Sequence, residues 1–159
     1  MNKVRHLTNA AVIAAVYVIL TLISNLFGLA SGAIQVRISE ALCVLPMFTP
    51  AAIPGLLVGC FISNLLTGCV FWDIIFGSLA TLIGAIFTYV LRKHRSLALF
   101  PPILSNTLII PFVLKLAYGL PSGLWYFVLT VGIGEIISCG ILGTALLLYL
   151  EKYKNTIKW

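Results

Sequence analysis

Residues 38–67 read ISEALCVLPMFTPAAIPGLLVGCFISNLLT, and the number of times this stretch crosses a membrane decides the fold. It is apolar apart from a few residues such as Glu40 and Asn64, yet Pro46, Pro50 and Pro54 interrupt it. Proline removes a backbone donor and clashes with the preceding turn, so two short helices, near 39–48 and 50–67, are expected in place of one long one. The flanking charges support that count. With two crossings here, three basic clusters fall on one side: Lys3 with Arg5, Arg92 with Lys93 and Arg95, and Lys152 with Lys154 and Lys158. With one crossing, the first cluster would face away from the other two. Basic segments collect on the cytoplasmic side, so both chain ends are expected there.

Working outward, apolar runs near 8–27, 72–91, 100–118 and 123–150 complete six transmembrane helices. The expected fold is an all-α integral membrane protein of the cell membrane, a single domain over residues 1–159. Composition agrees: 61% of residues are hydrophobic and 9% charged, where a soluble domain carries about a quarter charged. The net charge of +6 resides mainly in the three clusters and forms no basic stripe, so no nucleic-acid partner is expected. Lys3 and Arg5 ahead of an apolar run resemble the start of a signal peptide. No clean cleavage site follows, which reads as a retained first helix. The second helix is short for a full crossing, so it is expected to be tilted, broken or extended into the preceding loop.

In this topology the segments Gly28–Val36, Gly68–Phe71 and Tyr118–Ser122 lie on the outer side, uncharged and rich in turn-forming or aromatic residues, as gates over an outward cavity. Five ionisable residues fall outside the basic clusters and the C-terminal tail: Arg37, Glu40, Asp73, Lys115 and Glu135. Charge at membrane depth demands a partner or a hydrated cavity. Arg37 and Glu40, spaced i, i+3, meet on one face if the helix begins by Arg37, as a structural pair or as part of a pocket. Asp73 is either an N-cap or a ligand contact. Glu135, between Gly134 and Ile136, has no basic neighbour in sequence; its partner is a protein cation such as Lys115 or a ligand presenting donors. A carboxylate accepting two parallel donors suits a guanine-like edge, which offers a ring NH beside an exocyclic amine. Lys115 itself reads more simply as a snorkelling side chain.

Asn64 and Asn106 are amides at membrane depth, fit to bond a ligand or to bridge helices. Trp72, Trp125 and Tyr126 suit an aromatic belt, and Trp72 also suits stacking on a planar ligand. Ala10, Ala11, Ala14 and Ala15 form overlapping small-residue pairs on the first helix, a face that another helix can approach closely. Gly55 and Gly59 read as ordinary packing. The cysteines, Cys43, Cys60, Cys69 and Cys139, follow neither metal nor disulfide spacing and read as small buried side chains. No phosphate-binding loop is present, and His6 and His94 lie in basic segments away from the carboxylates. Neither ATP hydrolysis, a metal, a cofactor nor enzymatic catalysis is therefore expected of this chain. No internal repeat is visible.

Five stretches together resemble one family: LTNAAVIAA (7–15), QVRISEALCVLP (35–46), PGLLVGCFISN (54–64), VFWDIIFGSLATL (70–82) and GIGE (132–135). In this combination the chain is similar, over nearly its whole length, to the QueT family of queuosine-precursor transporters, substrate-binding S components of energy-coupling factor transporters. The resemblance implies a six-helix fold and an outward-lying pocket for a 7-deazaguanine such as queuine, preQ1 or preQ0. It implies as partners a transmembrane coupling subunit, EcfT, and two ATPase subunits, with Ala10, Ala11, Ala14 and Ala15 pressing on the coupling subunit. It implies as pocket residues Arg37, Glu40, Trp72, Asp73 and Glu135, with Asn64 and Asn106. An S component for another vitamin, such as riboflavin or biotin, and a small membrane scaffold whose charges only pair with one another are the rival readings.

Overall fold

In the computed structural model, residues 3–29, 34–117, 119 and 123–153 are described, and nearly all of them are helical, with no strand among them. We label the helices α1 (Lys3–Leu26), α2 (Ile38–Met47), α3 (Ala52–Leu66), α4 (Phe71–Val90), α5 (Phe100–Ala117) and α6 (Leu124–Lys152). A single helical turn, Arg95–Ala98, leads into α5. Three of the six, α1, α4 and α6, are long and apolar enough to cross a membrane unaided. This is an all-α membrane protein.

The arrangement is inside-out relative to a soluble bundle. Large apolar side chains such as Val12, Ile19, Phe61, Leu65, Phe87, Leu104, Phe112, Leu129 and Leu148 are exposed around the outside. Thr21, Ser24, Ser39, Ser63, Asn64, Ser78, Thr81, Thr88, Asn106 and Ser138 are buried. Lipid tails solvate the outside as well as another Leu would, so burial follows packing and hydrogen bonding more than hydrophobicity.

Helix α1 packs on α3, α3 on α4, α4 on α5 and α5 on α6, an open row closed by α2, which touches α1, α3, α4 and the middle and end of α6. Central position explains the form of α2. It is a ten-residue 3-10 helix whose side chains from Ser39 to Pro46 are all buried. At a rise of about 2.0 Å per residue it covers roughly 20 Å, short of a hydrocarbon core of about 30 Å. The short second helix expected from sequence is thus a central plug, not a lipid-facing span. Pro50 starts the turn between α2 and α3, and Pro54 sits in the first turn of α3, where its missing donor is harmless.

The basic segments share one end of the bundle. Ala10 lies against Gly55, and Ala14 and Tyr17 against Gly59, so α1 and α3 run in the same direction. Arg95 at the start of the single turn pairs with Glu151 near the end of α6, Nε to Oε1 at 2.8 Å. Exposed as Arg95 is, this pair reports proximity more than stability. Lys154 and Lys158 lie outside the described residues.

The α1–α3 seam corrects one expectation. Ala10 and Ala14 are buried, pressed on Gly55 and Gly59, whereas Ala11 and Ala15 point outward. The 100° step per residue splits the alanine face, and only half of it remains for a partner. A methyl group at Gly59 would stand 2.8 Å from Tyr17 Cβ and 3.1 Å from the Ala14 backbone. Gly59→Val is expected to destabilise the protein by about 1–3 kcal/mol through overpacking. At Gly123 a Cβ meets nothing within 4 Å, so Gly123→Ala is expected to unfold with wild-type stability; thermal unfolding of both variants in detergent checks the pair.

Candidate functional site

The half of α1 nearer Leu26 carries a polar stripe inside an apolar helix. Tyr17, Thr21 and Ser24, three and four residues apart, share one face and are buried. Each meets the start of α2. The Tyr17 hydroxyl donates to Glu40 Oε1, Thr21 Oγ1 bonds Ser39 Oγ at 2.8 Å, and the Ile38 backbone N–H donates to Ser24 Oγ at 2.9 Å. Glu40 Oε2 accepts from the Cys43 thiol at 3.1 Å. From α6, the Cys139 thiol reaches the Glu40 carbonyl at 3.3 Å. Cys43 and Cys139, expected to be small buried apolar side chains, therefore both bond Glu40, one at its carboxylate and the other at its backbone carbonyl.

Ahead of α2 the chain runs extended through Gln35 and Arg37, and Gly134 makes room for it. A Cβ at Gly134 would lie 2.1 Å from the Gln35 carbonyl oxygen. The Arg37 backbone N–H donates to Ser138 Oγ at 3.1 Å, stitching the segment to α6. Arg37 is the residue before the helix, with φ −105° and ψ 109°. Its side chain leaves Glu40 and bonds Asn64 Oδ1 through Nη1 at 3.0 Å. The i, i+3 pair expected from sequence is not formed, because the helix begins one residue too late for it.

Directly after Glu135, α6 passes through a π-helical stretch, Ile136–Leu142, which holds Ser138 and Cys139 against α2. Such stretches recur at functional sites. Glu135 accepts from the Cys139 thiol at 3.5 Å and stands beside the Asn106 side chain of α5.

These groups line one cleft: Gln35, Arg37 and Glu40 from the loop and α2, Cys60 from α3, Gly77 and Thr81 from α4, Asn106 and Ile110 from α5, and Val131 and Glu135 from α6. Its volume at water centres is about 30 Å³, room for about two waters.

Four residues anticipated from sequence, Arg37, Glu40, Asn106 and Glu135, therefore meet in one place. Asn64 orients Arg37 from behind. Asp73 is buried one layer back, beyond Gly77, where an added Cβ would lie 3.0 Å from Asn64 Nδ2 and 3.6 Å from Asp73 Oδ1. Trp72 is a correction. It is 54% exposed, its ring stacked on Phe76 at 6.0 Å, and it lines an apolar groove between α4 and α5 on the outside. Asp73, Gly77 and Thr81 take the inward face of α4 at i, i+4 spacing, which turns Trp72 toward lipid. Sequence reasoning passed over Tyr17, Gln35, Cys60 and Thr81. The periodic stripe of α1 and the 73–77–81 spacing were the signals for Tyr17 and Thr81.

The family model of the QueT transporter matches residues 7–152. The chain belongs to the QueT transporter family. A curated relative, "Queuosine precursor transporter QueT" of Lactococcus lactis subsp. cremoris (strain MG1363), is 39% identical over 83 residues, 52% of this chain and 48% of the relative. The match thus spans about half of that relative's length. No solved structure matches significantly. All the cavity residues lie within the family model's limits, and so do the paired glycines of GIGE, which differ in their surroundings. At Gly132 a Cβ meets only Thr107, at 3.5 Å, an ordinary contact. Gly134→Ala is expected to lift the 34–37 segment and speed backbone hydrogen exchange across it, while Gly132→Ala leaves exchange unchanged; mass-spectrometric exchange of the peptide covering residues 34–40 checks this.

Proposed function

We propose that this chain is the non-enzymatic, substrate-binding S component of an energy-coupling factor importer, and that it holds a queuosine precursor in the cleft between α2, α4, α5 and α6. One observation carries the reading. Glu135 accepts from the Cys139 thiol at 3.5 Å, stands beside the Asn106 side chain and lines the same cleft as Gln35. A half-buried carboxylate at membrane depth is kept because something pairs with it, and a 7-deazaguanine offers adjacent NH and amine donors to such a group. Gln35, Thr81 and Asn106 supply amide and hydroxyl groups for the remaining polar edges. The name of the Lactococcus relative supports the same class of substrate.

The three basic clusters support placing their shared end in the cytoplasm of a cell whose plasma membrane the bundle spans. The cleft then lies in the outer half, reached from outside past segment 34–37. No phosphate-binding loop is present in the sequence, so energy comes from two ATPase subunits through the coupling subunit. Ala11 and Ala15, exposed on α1, are the small residues offered to that subunit.

Thermal-shift measurements on the purified protein test the substrate. Queuine, preQ1 or preQ0 is expected to raise the unfolding temperature, and Glu135→Gln to weaken that ligand about tenfold or more, the loss of one charge-assisted bond. Stabilisation by riboflavin or biotin and by no deazaguanine would sink the assignment. For the partner, Ala11→Leu with Ala15→Leu is expected to abolish co-purification with the coupling subunit while leaving ligand-induced stabilisation intact. Undiminished co-purification would move the interface elsewhere.

A further inference from the structure

The lining of the cleft carries more negative than positive charge. Glu40 and Glu135 contribute two carboxylates and Arg37 the one guanidinium among the described lining residues. That guanidinium is already engaged: Nη1 donates to Asn64 at 3.0 Å, and the buried Asp73 lies within its electrostatic range. The other donors around the carboxylates are neutral. Tyr17 and Cys43 serve Glu40, and Cys139 and Asn106 serve Glu135. Neutral donors spread a carboxylate's charge without cancelling it.

Among the described residues no other basic side chain lines the cleft. Lys115 is exposed on α5, and the remaining described basic residues sit at the far, basic end of the bundle. Residues 30–33 and 118–122 include no charged side chain. In a medium of low dielectric constant, a cation entering the cleft is met by two carboxyl groups and by a guanidinium already engaged elsewhere.

We infer that the ligand is a cation, and that among 7-deazaguanines the cleft selects those carrying a protonated alkylamine at the 7-substituent over those with a neutral nitrile there. This rests on the queuosine-precursor reading above and extends it. The donor edge of the base and the 7-substituent lie on opposite sides of the bicycle, so one carboxylate receives the edge while the charge of the other meets the ammonium. The aminomethyl base preQ1 and the nitrile preQ0 share the edge and the ring and differ in that one group, so they isolate the charge.

Isothermal titration of the full-length protein with preQ1 and with preQ0 decides it. Wild type is expected to bind preQ1 at least about tenfold more tightly, the value of a charge-assisted contact over a neutral one. In Glu135→Gln, which removes one negative charge at nearly constant shape, the preQ1:preQ0 affinity ratio is expected to fall toward one, whereas selection by shape alone keeps it. Equal affinity of wild type for the two bases, or tighter binding of preQ0, overturns the charge inference and leaves the 7-deazaguanine reading standing. Binding of neither overturns the reading on which it rests. Should Glu135→Gln not fold, the wild-type comparison alone decides.

Discussion

A carboxylate at membrane depth has no water to turn to, and the hydrogen bonds that Tyr17 and Cys43 give to Glu40 are the contacts on which the rest of this bundle depends. The Tyr17 bond fixes α2 against α1, and α2 in turn closes the open row of outer helices by touching the middle and the end of α6. Leaving such a charge without partners costs several kcal/mol by order of magnitude, comparable with the whole stability of a small domain, about 5–15 kcal/mol. The buried polar groups therefore hold the fold together and shape the cleft at the same time. Thr21 with Ser39, and Ser24 with the Ile38 backbone, extend the same seam outward to the point where the chain enters α2.

Close backbone approach does the remaining positioning. Gly55 and Gly59 let α1 and α3 meet with no side chain between them, which brings Tyr17 over Glu40. Gly134 does the same for the extended segment, whose Gln35 carbonyl occupies the space a side chain would need. One residue later α6 presents Glu135, so the glycine that admits the loop and the carboxylate that faces it are consecutive.

Much of this could be read before the fold was known. Proline placement and charge bookkeeping located six helices, and the rarity of charge in an apolar chain singled out Arg37, Glu40 and Glu135, three residues that do meet. What sequence could not supply was direction around the helix axis. Trp72 and Asp73 are neighbours in sequence and face opposite environments, and the alanines of α1 divide in the same way, two inward and two outward. Nor does residue type reveal a 3-10 helix that begins only at Ile38, which leaves Arg37 ahead of it and bonded to Asn64. Tyr17 was hidden for a different reason, since one phenol in an apolar span looks like a lipid-facing aromatic until its spacing to Thr21 and Ser24 is noticed.

Between the cleft and the basic end lies a tightly packed apolar layer, in which Val44, Leu45, Leu56, Ala85, Leu147 and Leu150 are all buried. Such a layer offers no file of waters along which protons or metal cations could hop. A protein that must pass a solute through the membrane is thus built, along its own axis, as an insulator. Its presence in a membrane is thereby compatible with the electrochemical gradients that the membrane maintains.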